Sequence, residues 1–197
     1  MSTTLGRRHG LSRRTPPPAI VMKNSAELEQ QAALQVASLM AAAARTAPKT
    51  RGIDNIRVVA IEDRATKDKL AAKMRELGKS ENRPSFDRDA GCVDSSLAVL
   101  LVGVESNPAG LNCGYCGHGR CDQIEKADGI CAFNSIDLGI AASSAVSVAA
   151  DSRVDTRVMF SIGRAGLAME LLDKKVKLAL GIPLSISGKS PFFDRKS

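Results

Sequence analysis

The sequence predicts a layered α+β domain in which a core sheet is flanked by helices. Two observations lead to this fold class. Segments with apolar residues at helical spacing alternate with short apolar runs of strand length along the chain, and such alternation is typical of helices packed in layers on a sheet. With 197 residues, the chain is also long enough to enclose one core.

The first half of the chain contains two predicted helices and two predicted strands. Asn24 and Glu27 form a capping pair before an alanine-rich segment, which predicts a helix over 25–44. A polar turn with Pro48 and Gly52 ends this helix. A strand over 56–61 and a helix over 65–77 follow. The run over 96–104 is continuously apolar, as expected of a central strand that is buried on both faces.

The second half is predicted to contribute a central helix and further peripheral elements. Small residues dominate 137–150, which favours a helix that packs closely on its neighbours. Residues 157–162 are predicted to form a strand, 165–172 a helix and 176–186 a last extended segment.

The basic character of the chain is concentrated at its N-terminus. The formal net charge is +7, from 28 basic and 21 acidic side chains. Residues 1–23 hold five of the basic side chains and no acidic one, so residues 24–197 are almost neutral. Three consecutive prolines and this charge predict a disordered tail over 1–22 and one domain over 23–197. Few aromatic residues argue against nucleic-acid binding.

Neither a signal peptide nor a membrane-spanning segment is recognised in the sequence. The apolar stretches are shorter than the roughly eighteen residues that a span needs, and the arginine-rich tail lacks the hydrophobic region of an export signal. We therefore expect a cytoplasmic protein without a membrane span.

Four closely spaced cysteines are the main candidate for a functional site. Cys113, Cys116, Cys121 and Cys131 follow the spacing C-x2-C-x4-C-x9-C within the segment 111–133. Four thiolates on one short segment are the ligand set of a 4Fe-4S cluster. Gly114, Gly117 and Gly119 permit positive φ angles and a close approach of the backbone to the metal centre. The pattern thus predicts a cluster on these four residues.

Other uses of these cysteines compete with the cluster. A four-cysteine zinc site usually combines two C-x-x-C pairs, and only one pair here has that spacing, so zinc remains the second interpretation. Disulfides are disfavoured because an intracellular protein keeps its thiols reduced. The fifth cysteine, Cys92, precedes an apolar run and is interpreted as a small buried side chain.

Several segments together resemble the family of uncharacterised ferredoxin-domain-containing proteins, over residues 25–195. This resemblance implies a 4Fe-4S cluster on the four cysteines and leaves the activity open. The segments that carry it are Leu111-Asn-Cys-Gly-Tyr-Cys-Gly117, Cys131-Ala-Phe133, residues 136–141, Val154-Asp-Thr-Arg157 and residues 181–195.

The order of the predicted elements is similar to that of the nitroreductase fold, which binds FMN across a dimer interface. This resemblance implies a homodimer, and it places Arg45, Lys49 and Arg51 where a flavin phosphate would be gripped. A solvated basic turn is the alternative interpretation. The Asn-x-Gln-Pro-Trp element of many nitroreductases is replaced here by Arg51-Gly-Ile-Asp-Asn55.

The expected function is one-electron transfer, with an oxidoreductase role if the protein is an enzyme. Hydrolase and phosphate-loop motifs are absent from the sequence, so no catalytic residues are assigned. The cluster would serve a redox partner protein that the sequence does not identify, or act as a relay to FMN. A structural cluster or structural zinc is the remaining alternative.

Overall fold

The structure is a computed structural model, and it describes residues 22–189 and Phe192. Nearly all of the predicted disordered tail, residues 1–21, lies outside the described residues. The elements in chain order are α1 (Ser25–Thr46), β1 (Ile56–Ile61), α2 (Arg64–Ser80), α3 (Ser85–Asp94), β2 (Ala98–Glu105), α4 (Cys121–Lys126), α5 (Ala132–Asp151), β3 (Asp155–Thr156), α6 (Phe160–Ala168) and β4 (Val176–Ser185).

The four strands form one sheet in the order β1-β2-β4-β3, and each neighbouring pair is antiparallel. In the middle of the sheet, Val102 of β2 stands opposite Val58 on one side and Leu180 on the other. All residues of β2 except the last are buried. The prediction of a central strand that is covered on both faces is therefore confirmed.

Helices cover both faces of the sheet, and the alternation of side chains along β2 divides the core between them. Leu100, Val102 and Val104 pack with α1 and α5 in one hydrophobic cluster. Val99 and Leu101 pack with α2, α3 and α6 in a second cluster on the opposite face. The result is a three-layer arrangement of helices, sheet and helices, as the predicted fold class requires.

Local capping explains where the first two helices begin. The side chain of Asn24 accepts a hydrogen bond from the backbone N–H of Glu27 at 3.0 Å, and the Glu27 carboxylate accepts one from Asn24 N–H at 2.8 Å. This confirms the predicted capping box. Asp63 caps α2 by accepting a hydrogen bond from Thr66 N–H at 2.8 Å. Hydrogen bonds from the backbone and side chain of Thr66 lower the pKa of the Asp63 carboxyl.

The predicted strand over 157–162 is wrong. The chain makes only the short strand β3 and a single bridge between Met159 and Gly181, and α6 begins at Phe160. The apolar and β-branched residues of this segment match a strand pattern by themselves. They form a helix because Gly163 permits the backbone of this segment to lie directly against β4. The helix predicted over 165–172 accordingly starts earlier and ends at Ala168.

Two helices were missing from the sequence prediction. The helix α3 follows Pro84 and buries Phe86, Ala90 and Val93 at helical spacing, so its signal was present in the sequence. The six-residue helix α4 lies inside the cysteine segment. Glycines and cysteines surround it, and periodicity carries no information over so short a stretch.

The central helix is longer than predicted and starts immediately after Cys131. Among the described helices, α5 has a length and composition that would allow it to cross a membrane. Its buried residues pack against α1 and the sheet, which is how the core helix of a globular domain satisfies the same criteria.

The contact between α6 and β4 depends on glycine. A Cβ atom added to Gly163 would lie 1.9 Å from the carbonyl oxygen of Ala179, whereas one added to Gly91 on α3 would meet nothing within 4 Å. We expect Gly163→Ala to lower the free energy of unfolding by about 1–3 kcal/mol, because helix and strand must move apart. Gly91→Ala should raise it by about 0.5–1 kcal/mol through helix propensity alone.

Urea unfolding of both variants and the wild type, followed by circular dichroism, measures this difference. Both substitutions replace a glycine inside a helix, so the second serves as the control for helix propensity. Equal shifts in the two variants would show that α6 does not depend on the close approach at Gly163.

Candidate metal centre and neighbouring basic turn

The four cysteines lie between the end of β2 and the start of α5. Cys113 and Cys116 are in irregular chain, Cys121 is the first residue of α4, and Cys131 directly precedes α5. Their exposure falls along the chain: Cys113 is exposed, Cys116 and Cys121 are half-buried and Cys131 is buried. All four are free thiols. The first of the four cysteines is therefore open to the surface, and the last lies in the core.

The backbone around the first three cysteines turns sharply. Gly114 and Gly117 have φ angles of 76° and 82°, as predicted for these two glycines, whereas Gly119 is not among the residues with positive φ. Gly117 N–H donates to the carbonyl oxygen of Gly114 at 3.0 Å and closes a turn over Cys116. Side chains other than glycine are strained in this region of φ, so the loop requires these two residues.

Buried amide side chains tie the start of the cysteine segment to the core. The backbone N–H of Asn107 donates to Oδ1 of Asn134 on α5 at 3.0 Å, and its side chain donates to Oδ1 of Asn55 at 3.1 Å. Both partners are buried. At the other end of the segment, the carbonyl oxygen of Gly129 accepts a hydrogen bond from the Ser106 hydroxyl at 2.8 Å. These bonds hold both ends of the segment close to β2.

One hydrogen bond reaches a cysteine sulfur directly. The backbone N–H of Asn112 donates to Sγ of Cys121 at 3.4 Å. Donors of this kind are typical partners of metal-bound thiolates, because they stabilise negative charge on sulfur.

Aromatic side chains also flank the cysteines. Tyr115, between the first two cysteines, stacks on Phe133 of α5 with ring centroids 5.7 Å apart and an interplanar angle of 13°. Tyr115 is nevertheless 73% exposed. The stack links the glycine-rich part of the loop to the first turn of α5.

The donor chemistry of the segment fits a thiolate-bound metal centre. In the part of the chain that the structure describes, however, no three His, Cys, Asp or Glu side chains are grouped closely enough to hold a metal ion. A single tetrahedral ion with metal–sulfur distances of about 2.3 Å needs its sulfurs within about 4 Å of one another. In a 4Fe-4S cluster each thiolate binds a different iron, so its ligands stand farther apart.

The three cations that were predicted to grip a flavin phosphate lie in one turn at the end of α1. Arg45 forms an ion pair with Asp54, and Lys49 Nζ lies 3.9 Å from the same carboxylate. The Lys49 side chain is only 7% exposed and also donates to the carbonyl oxygen of Ala47 at 2.9 Å. The structure thus brings Arg45 and Lys49 together, around an acidic partner.

Arg51 has a different role from the other two cations. Its guanidinium donates to the carbonyl oxygen of Ala109 at 2.8 Å, just before the cysteines. The neighbouring Thr50 donates through both N–H and hydroxyl to Oδ1 of the buried Asp137 on α5, at 3.0 and 2.9 Å. The basic turn and the cysteine segment are therefore held against each other and against the start of α5.

Sequence reasoning missed the polar residues that hold this region together, namely Asn55, Asn107, Asn112, Asn134 and Asp137. A signal for Asn112 was present, because asparagine next to a cysteine in a glycine-rich segment is suited to a left-handed backbone. The other residues pair across long sequence separations, and nothing local in the sequence reveals such pairs.

Cys92 is separate from the other cysteines, as predicted. It lies buried on α3, three residues after Asp89, whose carboxylate accepts hydrogen bonds from Ser161 at 2.6 Å and from Arg88 at 2.8 Å. Burial and, next, the negative charge of Asp89 raise the pKa of the Cys92 thiol. Cys92 is thus a buried side chain of the second hydrophobic cluster.

Comparison with known proteins identifies the family. The chain is 40% identical over 184 residues to an uncharacterized protein of Archaeoglobus fulgidus, covering 89% of this chain and 98% of the relative. Residues 127–195 match the model of a family described as uncharacterized protein containing a ferredoxin domain (DUF2148). The chain belongs to this ferredoxin-domain family. The family resemblance stated from the sequence is thereby confirmed.

Solved structures with the same architecture are nitroreductases and related flavoproteins. A nitroreductase with bound FMN from Desulfitobacterium hafniense superposes with a TM-score of 0.56 and 12% identity, over 79% of this chain and 78% of that one. A BluB-like flavoprotein from Clostridium difficile gives 0.52 and 19%, over 83% of both chains. This ferredoxin-domain protein therefore has the nitroreductase fold.

The different environments of Cys92 and Cys113 predict different reactivity in the metal-free protein. Because the raised pKa of Cys92 keeps it as the neutral thiol and burial limits access, its alkylation by iodoacetamide near pH 8 should be at least about tenfold slower than that of exposed Cys113. Mass spectrometry of peptides sampled over time measures both rates. In concentrated guanidinium chloride the two rates should converge, and a persistent difference there would assign the effect to local sequence.

Proposed function

We propose that the protein binds one 4Fe-4S cluster through Cys113, Cys116, Cys121 and Cys131 and uses it for one-electron transfer. The observation that carries the proposal is the placement of four free thiols on one anchored segment, with a backbone donor already directed at Cys121. The ferredoxin-domain description of the family supports it. A 4Fe-4S cluster supplies reversible one-electron chemistry when bound.

The surroundings of the segment fit the task of holding such a centre near the surface. Cys131 anchors the ligand set at the buried start of α5, and Asn107 fixes the entry to the segment. The positive φ angles at Gly114 and Gly117 allow the loop to adjust around the ligands without side-chain strain. Exposed Cys113 and Tyr115 leave this side of the site within reach of a docked redox protein.

The cluster assignment is tested by metal content. Protein purified without oxygen should be brown and carry about four irons and four sulfides per chain. Replacing Cys113, Cys116, Cys121 or Cys131 by Ala should reduce iron content and visible absorbance, because each removes one ligand. Cys92→Ala is the matched control and should keep both. A colourless wild-type protein with one tightly held zinc would contradict the cluster and support the structural metal site.

Electron transfer is distinguished from a structural role by electrochemistry. A carrier should be reduced and reoxidised reversibly, with the spectrum of the oxidised protein fully restored. A centre that resists reduction over the biological range of potentials, or that is lost on reduction, would leave the structural alternative.

FMN is the second candidate cofactor, with the cluster as its relay in a homodimeric oxidoreductase. The nitroreductase fold favours it, and so does the convergence of Arg45 and Lys49 at the end of α1. The two cations would grip the phosphate, with Asp54 as their partner when no phosphate is present. Arg51 donates to Ala109 and would keep this turn next to the cysteines.

The homodimer that the sequence resemblance implies is part of this proposal. The helices α1 and α5, which pack on each other, leave apolar side chains exposed at Leu28, Leu39, Ile136 and Ile140. A second copy of the chain would cover this surface.

The flavin proposal makes a charge-specific prediction. Denatured protein should release FMN, and titration of flavin-free protein should quench FMN fluorescence. Asp54→Asn should tighten FMN binding because it removes the competing carboxylate, whereas Arg45→Ala should weaken it by about tenfold, as loss of a charge-assisted hydrogen bond does. Arg64→Ala is the control, since Arg64 pairs with Asp68 on α2, which packs on the opposite face of the sheet. Absence of both released flavin and quenching would rule out this candidate.

A further inference from the structure

Asn112 makes two hydrogen bonds to Cys121, one as the donor and one as the acceptor. Its backbone N–H donates to Cys121 Sγ at 3.4 Å, and its side-chain Oδ1 accepts from Cys121 N–H at 2.9 Å. The two residues are nine positions apart. One asparagine therefore fixes both the backbone and the sulfur of Cys121.

The backbone of Asn112 is suited to this double contact. Its φ angle is +49°, in the left-handed region, which asparagine tolerates better than most residues other than glycine. Cys121 is the first residue of α4, where backbone N–H groups have no partner within the helix. Oδ1 of Asn112 supplies the missing acceptor. Since Cys113 follows directly in sequence, the contact also sets the separation of two predicted ligands.

We propose that Asn112 is a positioning residue of the metal centre, one that holds Cys121 in place as a ligand and raises the reduction potential of the cluster. The inference rests on the proposed cluster site. A hydrogen bond to a ligating sulfur stabilises the additional negative charge of the reduced state, so it favours reduction. Residues that orient ligands in this way commonly contribute ten- to a hundredfold to metal retention.

Three substitutions separate positioning from general effects on the fold. Asn112→Gly keeps the backbone N–H and tolerates the left-handed conformation, but it removes the acceptor for Cys121 N–H. Asn112→Asp keeps that acceptor. Asn82→Gly is the matched control, because Asn82 is exposed, has a φ angle of +52° and follows α2, away from the cysteines.

The loaded protein gives two measurements, iron release to a chelator and midpoint potential by redox titration. Asn112→Gly should release iron about tenfold faster than the wild type and have a more negative potential, because without the Oδ1 contact the retained backbone N–H is no longer held against the Cys121 sulfur. Asn112→Asp should restore retention to near the wild-type rate, and Asn82→Gly should match the wild type in both measurements. Potentials are compared only between wild type and glycine variants, since the aspartate adds a charge.

Either of two results overturns the inference. If the Asn112→Gly variant keeps the wild-type rate of iron release and the wild-type midpoint potential, the contact of Asn112 with Cys121 is dispensable. Faster release at an unchanged potential would reduce Asn112 to a loop-closing residue without influence on the sulfur.

A measurement on metal-free protein separates this inference from the cluster proposal. Hydrogen exchange of the Cys121 amide should be at least about tenfold faster in Asn112→Gly than in the wild type and Asn112→Asp, because the N–H loses its acceptor. If the wild type binds no cluster but this difference appears, the cluster proposal and the effect on potential fail, while the positioning of Cys121 stands. Equal exchange in all variants overturns the positioning itself.

Discussion

The antiparallel pairing of β2 with β4 at the centre of the sheet is the constraint on which the other features depend. Because β2 is buried on both faces, its side chains require a helical layer on each side. After the last residue of β2, the chain leaves the sheet beside the start of α5. The cysteine segment connects β2 to α5, so the core fixes both of its ends.

The gap between β2 and α5 contains polar groups that satisfy one another. Asn107 bonds to buried Asn134 and Asn55, and Thr50 bonds to buried Asp137. Within the described residues, no buried side-chain nitrogen or oxygen lacks a hydrogen-bond partner. Loss of one partner leaves the other unsatisfied away from water, which typically costs about 1–3 kcal/mol. This network therefore gives the segment a defined position before any metal is bound.

The basic turn is part of the same assembly. Arg51 donates to the chain just before the cysteines, and Arg45 and Lys49 share Asp54 on the other side of the turn. The two candidate cofactor sites are thus neighbours in the structure, although more than fifty residues separate them in sequence.

The sequence by itself determined the candidate ligand residues, the order of most elements and the central strand. Spacing and composition are local properties, and β2, α1 and the four cysteines are marked by local patterns. Only the tertiary structure decided that 160–168 is a helix, because the approach of Gly163 to Ala179 overrides the strand-like pattern of that segment. It likewise decided that Arg51 holds the cysteine segment and that Asn112 holds Cys121. Those hydrogen bonds join residues distant in sequence. Their partners become defined only when the core brings the two segments together at the same end of the sheet.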